Sequence, residues 1–479
     1  MSYLFVFPIL VPAAGGFFVW RIRSDKARRA ATVLTLLLTL GAVIALCAVR
    51  PPAVTVWDAG NLSLRFGCDG ISLLFLPLVC AVFLASAIFS FGYLTHRQNQ
   101  FLAFLLWVLS SLSALTMAQN LITLYLCYEW MNVLAVPLVL HERTREASRS
   151  AIKFLGYSVF GACLVLGGVF LLYRYGAGVF LPGGDIQIAH MPRQLALGAY
   201  FFIIAGFGAK FGLFPLHGWL PTAHPAAPAP ASALLSGVLS KSGVLCILRV
   251  TYYLFPQDLL RGSWAQRALL TLSLITILIG SLLALREPLL KKRLAYSTIS
   301  QASYVLLGVL LLSPQALSGA LLQLVYHAGA KSLLFLCVGS LIRRTGRIRV
   351  DEYRGLGRAM PLTFFCFAVG ALSLVGVPPM GGFVAKWFFA SGVLAGGVDA
   401  QSVAICVVLL FSTLLTAGYL LPPLFRAFFP GRDYTGHGLP PDLPRVMSGP
   451  MLALAAACLV LGLFPQPLMA LIRAAAIGT

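Results

Sequence analysis

Apolar runs of eighteen residues or more recur along the whole of this 479-residue chain. A run of that length reads as a helix that crosses a bilayer. In lipid each backbone N–H and C=O must be satisfied within the segment, so a chain made of such runs folds as a bundle of membrane helices. Composition points the same way: 59% of the residues are hydrophobic and only 10% are charged, too few polar groups to cover a set of soluble domains. The runs fall near 3–20, 30–48, 70–93, 100–118, 120–140, 152–173, 196–235, 236–255, 267–285, 294–312, 317–341, 362–398, 401–424 and 448–472. They predict an all-α polytopic membrane protein of about fourteen spans, the seventh and twelfth interrupted. The first run, Ser2 to Trp20, has no basic stretch before it and no small-residue cleavage site after it. It is expected to be a first helix rather than a cleaved signal.

The formal net charge is +21. In a soluble chain that would suggest nucleic acid, but here the basic residues sit in short loops and form no stripe interleaved with aromatics. The loops after odd-numbered spans hold 23 Lys and Arg, and those after even-numbered spans hold six. By the positive-inside rule the odd loops are cytoplasmic and both termini face the periplasm or exterior, across the cell's inner membrane. The ten Cys are scattered and form no CxxC pattern, so they read as small buried hydrophobes, and no disulfide, zinc or iron–sulfur site is expected.

Four lysines escape this accounting. Lys210, Lys241, Lys331 and Lys386 all fall inside spans, and Glu129 is the one acidic residue placed clearly within the membrane. A charge at the centre of a membrane helix costs roughly 2.5–3.5 kcal/mol by insertion scales, so such residues are functional candidates. Glu129, in LYLCYEWMN (124–132), needs a cation to stay charged, and Lys210 is the candidate partner. Lys241 is flanked by Ser236, Ser240 and Ser242, hydroxyls able to bond a lysine or a file of water. His327 and Lys331, four residues apart, share one helix face, and imidazole shuttles protons near neutral pH. Snorkelling to the interface is the bland reading of each lysine, and a satisfied core position that of the histidine. Five such residues in one chain outweigh both.

Two of these lysines adjoin breaks rich in Pro and Gly. GAKFGLFPLHGWLPTAH (208–224) interrupts the seventh span and GVPPMGGFVAKW (376–387) the twelfth. Irregular backbone at membrane depth is tolerated only inside protein or against a watery cavity. Paired breaks in corresponding positions point to a transport site, and their offset of five spans implies an inverted repeat. His217 and His224 in the first break suit a proton entrance or the bonding of broken backbone better than metal, since no Cys or acid accompanies them. No Ser/His/Asp setting, Walker loop or dinucleotide fingerprint competes. The chain is expected to have no catalytic site, cofactor or metal of its own.

These segments carry a resemblance. LYLCYEWMN, GAKFGLFPLHGWLPTAH, SALLSGVLSKSGVLCILR (232–249), KKRLAYSTISQASYVLLG (291–308), LVYHAGAKSLLFL and ALSLVGVPPMGGFVAKW together resemble the antiporter-like subunits shared by respiratory complex I, Mrp-type cation/proton antiporters and energy-converting membrane hydrogenases. The resemblance runs from about residue 66 to about 425. It implies N-terminal helices over 1–98, inverted five-helix repeats over 99–258 and 259–428, and a last helix over 429–479. It also implies an ion pair of Glu129 with Lys210, a central Lys241, a relay at His327 and Lys331, and a terminal Lys386. Gln301 stands where several members carry His, leaving transfer there to water or to the hydroxyls of Ser297 and Ser300. Because the chain ends soon after its last span, it looks closer to Mrp D-type and hydrogenase-type subunits.

The mechanism so implied begins when a partner separates Glu129 from Lys210. The freed charge, worth roughly 4 kcal/mol at an effective dielectric near 20, then drives a proton from Lys241 toward His327 and Lys331 and out past Lys386. The implied partners are other membrane subunits of a redox-driven translocase or antiporter, and the implied cargo is H⁺, or Na⁺ in its place. The alternative is a membrane scaffold without transport, including the membrane partner of an inorganic-carbon-uptake complex.

Overall fold

The computed structural model describes residues 3–60, 62–431 and 442–475. Nearly all of them are helical. Twelve helices among the described residues are long and apolar enough to cross a membrane. In chain order the helices are α1 (Phe7–Arg21), α2 (Asp25–Val49), α3 (Gly70–Tyr93), α4 (Gln98–Thr116), α5 (Leu121–Val139), α6 (Arg145–Tyr173), α7 (Arg193–Gly208), the short α8 (Leu220–Ala226) and α9 (Ala229–Leu254). There follow α10 (Trp264–Arg286), α11 (Leu290–Leu310), α12 (Pro314–Thr345), α13 (Pro361–Val375), α14 (Gly381–Leu394), α15 (Ala400–Phe428), α16 (Arg445–Leu463) and α17 (Gln466–Ala475). Several starts are set by side-chain caps that satisfy free N–H groups of the first turn. Asp69 accepts from the Ser72 N–H, Asn120 from Thr123 and Thr144 from Ala147.

Local chemistry corrects three expectations. The eighth helix starts at Ala229 rather than at 236. Ala227 and Pro228 are extended, because a residue before proline avoids the helical region, and Pro230 opens the next helix, where its missing N–H costs nothing. The C-terminal run over 448–472 is two helices, α16 and α17, parted at Phe464 and Pro465 by the same pre-proline effect. Finally, two short strands form among the described residues, which are otherwise mostly helical. Strand β1 (Val54–Ala59) pairs antiparallel with β2 (Leu62–Phe66). Asn120 Nδ2 and the Ser63 carbonyl tie it to the start of α5 at 2.8 Å.

Burial sorts the helices. The most apolar window of α9 is wholly buried and that of α12 is 94% buried, whereas those of α1, α2 and α15 are only one-third buried. The outer helices turn apolar side chains outward, as lipid-facing helices do, while α9 and α12 are sheathed by their neighbours. Lys241, His327 and Lys331 lie on these two sheathed helices.

Both interrupted segments break in the same way. The first half ends at a glycine in the left-handed region, Gly212 (φ 83°) and Gly376 (φ 82°), a conformation in which a Cβ would be strained. Three residues later each has a proline in a cis peptide bond, Phe214–Pro215 and Pro378–Pro379.

Candidate functional site

α5 and the end of α7 bring Glu129 and Lys210 to one place, but they do not touch directly. Asn132 stands between them. Its Nδ2 donates to Glu129 Oε1 at 3.1 Å, and its Oδ1 accepts from the Lys210 ammonium. Lys210 is buried in the tight turn that closes α7, with its Nζ 4.8 Å from the centre of the Phe154 ring. Glu129 is half-buried. The turn fits against α9 because residue 243 is glycine. A Cβ there would lie 2.5 Å from the Phe207 carbonyl oxygen and 2.9 Å from Lys210 Cβ.

Lys241 lies fully inside α9, directly after a π-helical turn at Leu235–Leu239. The wider turn spoils the regular i to i+4 ladder, and the ammonium reaches back to the Ser236 carbonyl, with Ser240 Oγ at 3.4 Å. Ser236 Oγ in turn bonds Thr298 of α11 at 2.7 Å. On α12, Lys331 donates to the Leu294 carbonyl at 2.9 Å. His327 is 1% exposed, and no described residue bonds either ring nitrogen. The charges of Lys241 and Lys331 both act on it.

His224 lies close to Lys241 and Lys331. It is fully buried and stacked on Phe335 at 4.6 Å, and both its nitrogens lack a partner among the described residues. Its surroundings hold the charges of Lys331, Lys291 and Lys241. His217 is separate: it is half-buried and stacks on Phe214 near the outer side of the break.

Gln301 sits in a buried polar web. Its Oε1 accepts from Gln323 Nε2 at 2.7 Å, and its Nε2 reaches Thr416 Oγ1 at 3.5 Å. Tyr419 links the web onward, donating to Ser297 Oγ at 2.8 Å. Ser300 bonds Ser281 at 2.8 Å. Beyond the web Lys386 of α14 donates to the Val375 and Leu374 carbonyls at 2.7 and 3.2 Å and to Thr413 Oγ1 at 3.1 Å. It therefore caps the C-terminal end of α13, where free carbonyls and the helix dipole attract a cation. It also borders a largely apolar cavity of about 400 Å³ lined by Tyr304, Phe383 and Trp387.

Sequence reasoning missed several members. Asn132, three residues after Glu129 and so on its helix face, was within reach of a spacing argument. Lys291, counted with the basic loop before α11, is buried and donates to the Ala227 carbonyl at 3.0 Å. The field of Glu142 reaches it. Glu129 is also not the only half-buried acid with a buried cation nearby. Asp69 pairs with Arg249 through bonds of 2.6 and 3.1 Å, and Arg249 further bonds Ser72 Oγ and the Thr116 carbonyl. Arg249 is wholly buried, so this pair clasps α9 to the start of α3 and the end of α4.

Sheathed helices, two breaks and cations set within the apolar spans mark a multi-pass membrane protein. The family model described as NADH:quinone oxidoreductase/Mrp antiporter, transmembrane, matches residues 118–416, and the chain belongs to that family. It is 32% identical over 410 residues to NADH-quinone oxidoreductase subunit N of Desulforudis audaxviator, covering 82% of this chain and 80% of that one. It is 31% identical over 408 residues to NAD(P)H-quinone oxidoreductase chain 4 1 of Synechococcus sp. strain JA-3-3Ab, covering 83% and 76%. In fold it is similar to a chain of the membrane-bound sulfane sulfur reductase, an archaeal respiratory membrane complex (TM-score 0.86, 21% identity, 99% and 97% covered). It is similar as well to a chain of the Mrp complex from Dietzia sp. DQ12-45-1b (TM-score 0.84, 24% identity, 99% and 96% covered).

Proposed function

We propose that this chain is the antiporter-like subunit through which a multi-subunit membrane complex moves protons, with Na⁺ as the alternative cargo. The observation that carries the reading is the series Glu129, Lys210, Lys241, His327, Lys331 and Lys386, in which Lys210, Lys241, His327 and Lys331 are buried and Glu129 and Lys386 half-buried, with Lys241, His327 and Lys331 on the two most sheathed helices. Intramembrane charges are expensive, and a protein that uses them only as glue has cheaper means. Asn132, Lys291 and His224 join the series, and the web of Gln301, Gln323, Thr416, Tyr419 and Ser297 spans the stretch between Lys331 and Lys386. The relatives named above are components of quinone oxidoreductases, and the similar folds come from Mrp and respiratory assemblies. On this reading the partners are other membrane subunits.

The same reading assigns fourteen crossings. The twelve long apolar helices are joined by α11 and by the broken pair α13 and α14. The matching spacing from Gly212 to Pro215 and from Gly376 to Pro379 supports inverted repeats over 99–258 and 259–428. Basic loops on the cytoplasmic side then leave both termini outside, across the inner membrane.

The test is Lys241→Ala in the purified complex reconstituted in vesicles. Coupled proton movement should be abolished while the complex still assembles. Full pumping by that variant would leave the chain as a scaffold.

A further inference from the structure

Two loops that are remote in sequence meet, and the charge of Glu142 on one of them reaches Lys291. One joins α3 to α4 and carries His96; the other joins α5 to α6 and carries His141 and Glu142. One ligand atom from each residue lies within 4.8 Å of the other two, and His96 Nε2 stands 3.5 Å from Glu142 Oε2. Two ligands of a tetrahedral zinc ion, each about 2.0–2.1 Å from the metal, are separated by roughly 3.4 Å. That pair is already spaced as an edge of the tetrahedron.

We propose that His96, His141 and Glu142 form a binding site for a divalent transition-metal ion of the zinc type, with water completing the tetrahedron.

His141 is the anchor. It is 6% exposed, yet its Nε2 has no hydrogen-bond partner among the described residues. A buried polar atom without a partner is rare and calls for a missing one. Its ring is held by stacking on His96 at 5.2 Å and by an edge contact with Phe101 at 5.3 Å. Burial, followed by the charges of His96, Arg97 and Arg143, keeps the His141 pKa down at about 4, with a backbone hydrogen bond to His96 working the other way. His96 and Glu142 are exposed enough to swing in and close the remaining gap.

Two imidazoles and one carboxylate suit zinc better than calcium or magnesium, which take oxygen ligands. The neighbouring arginines oppose a cation, and one of them is occupied, since Arg143 donates to Gln100 Oε1 at 3.1 Å. Sequence alone points away from metal, because the ligands come from separate loops and lack any ligand spacing.

The test uses the full chain, purified in detergent without a polyhistidine tag and stripped with a chelator. It is then dialysed against Zn²⁺ and assayed for bound metal, and titrated with Co²⁺ as a visible-absorption probe. One Zn²⁺ per chain should survive dialysis, and Co²⁺ should give the intense bands of a tetrahedral site. His96→Ala and Glu142→Gln, both at exposed positions, should each weaken binding at least tenfold, since even outer partners of a metal ligand cost about 10–100-fold. Their metal-free thermal stability should match the parent chain. Retention of Zn²⁺ by the His96→Ala/Glu142→Gln double variant, or no retention by the parent chain, would overturn the site.

Discussion

Replacing Asn132 by leucine tests how Glu129 speaks to Lys210. Asn132 is 1% exposed and Lys210 is 2% exposed, so water cannot readily take the place of the lost amide. The amide makes one bond to a carboxylate and one to an ammonium. Hydrogen bonds to charged groups are worth about 1.5–3 kcal/mol each. The Phe154 ring that remains beside Lys210 offers about 0.5–2 kcal/mol, too little to replace both. Loss of the link should thus cost about 3 kcal/mol of coupling, roughly a hundredfold in rate at 1.36 kcal/mol per decade.

The assay is proton movement by the reconstituted complex, measured for Asn132→Leu, Glu129→Gln and the double variant. If the amide transmits the interaction, the double variant should be no worse than the poorer single one. Asn132→Asp supplies a contrast. It sets a carboxylate against Lys210 and should raise thermal stability while slowing transport, because the pair no longer separates. Losses that multiply in the double variant, or wild-type turnover in Asn132→Leu, would refute the amide bridge.

Three further outcomes follow from the geometry. Arg249→Met or Asp69→Asn alone should destabilise the detergent-solubilised chain by about 3–5 kcal/mol, because each strands a buried charge. The double variant should recover part of that loss in a thermal unfolding series. Gly243→Ala should cost about 1–3 kcal/mol and impair transport, since the Phe207 carbonyl it would strike is backbone and cannot rotate away. Unchanged stability in that variant would refute the close approach of α9 to the Lys210 turn. Metal-free stability should fall as pH drops from about 6.5 toward about 4. Between those values the unfolded chain binds a proton at His141 that the folded chain excludes, so stability rises with pH across that window. His141→Phe should flatten the slope in thermal melts at stepped pH, and an unaltered slope would assign it to other groups.

What the sequence made legible was whatever depends on local order. Apolar length marked the spans, and Pro with Gly marked both breaks, because these residues act on the backbone wherever they stand. Lys210, Lys241, Lys331 and Lys386 stood out because a lysine within an apolar run is conspicuous. Lys291 did not, since Lys292 and Arg293 beside it make the stretch look like a solvated loop, and only packing against Ala227 reveals its burial. Arg249 stands near the end of α9, and only Asp69, from a distant part of the chain, reveals it as half of a buried pair. The hairpin at 54–66 was hidden by its brevity, and the boundary at 229 by a proline cluster that could have broken the run at several points. His96 and His141 meet only through loop geometry, which one-dimensional spacing does not encode.

The breaks and the lysines belong to one physical solution. An ammonium in a dry interior needs acceptors, and a regular helix has none to spare because each carbonyl already holds an N–H. Lys386 takes the carbonyls freed where α13 stops, and Lys291 takes that of Ala227, where α8 ends. Lys241 takes Ser236 from the π-helical turn just before it. These three cations thus lie where irregular backbone exposes the negative end of its dipoles. Lys331 is the exception, because the Leu294 carbonyl it uses lies within the unbroken α11 and also accepts from Thr298 Oγ1 at 2.9 Å. Sharing does not set Lys331 apart, since the Ser236 carbonyl that holds Lys241 also accepts from Ser240 Oγ at 3.0 Å; what does is an acceptor inside a helix that no break interrupts. On the proposed reading the break-held cations are fixed by the backbone, and Lys331 stands beside His327 and His224, whose ring nitrogens have no partner among the described residues, as the member placed to exchange a proton with an imidazole.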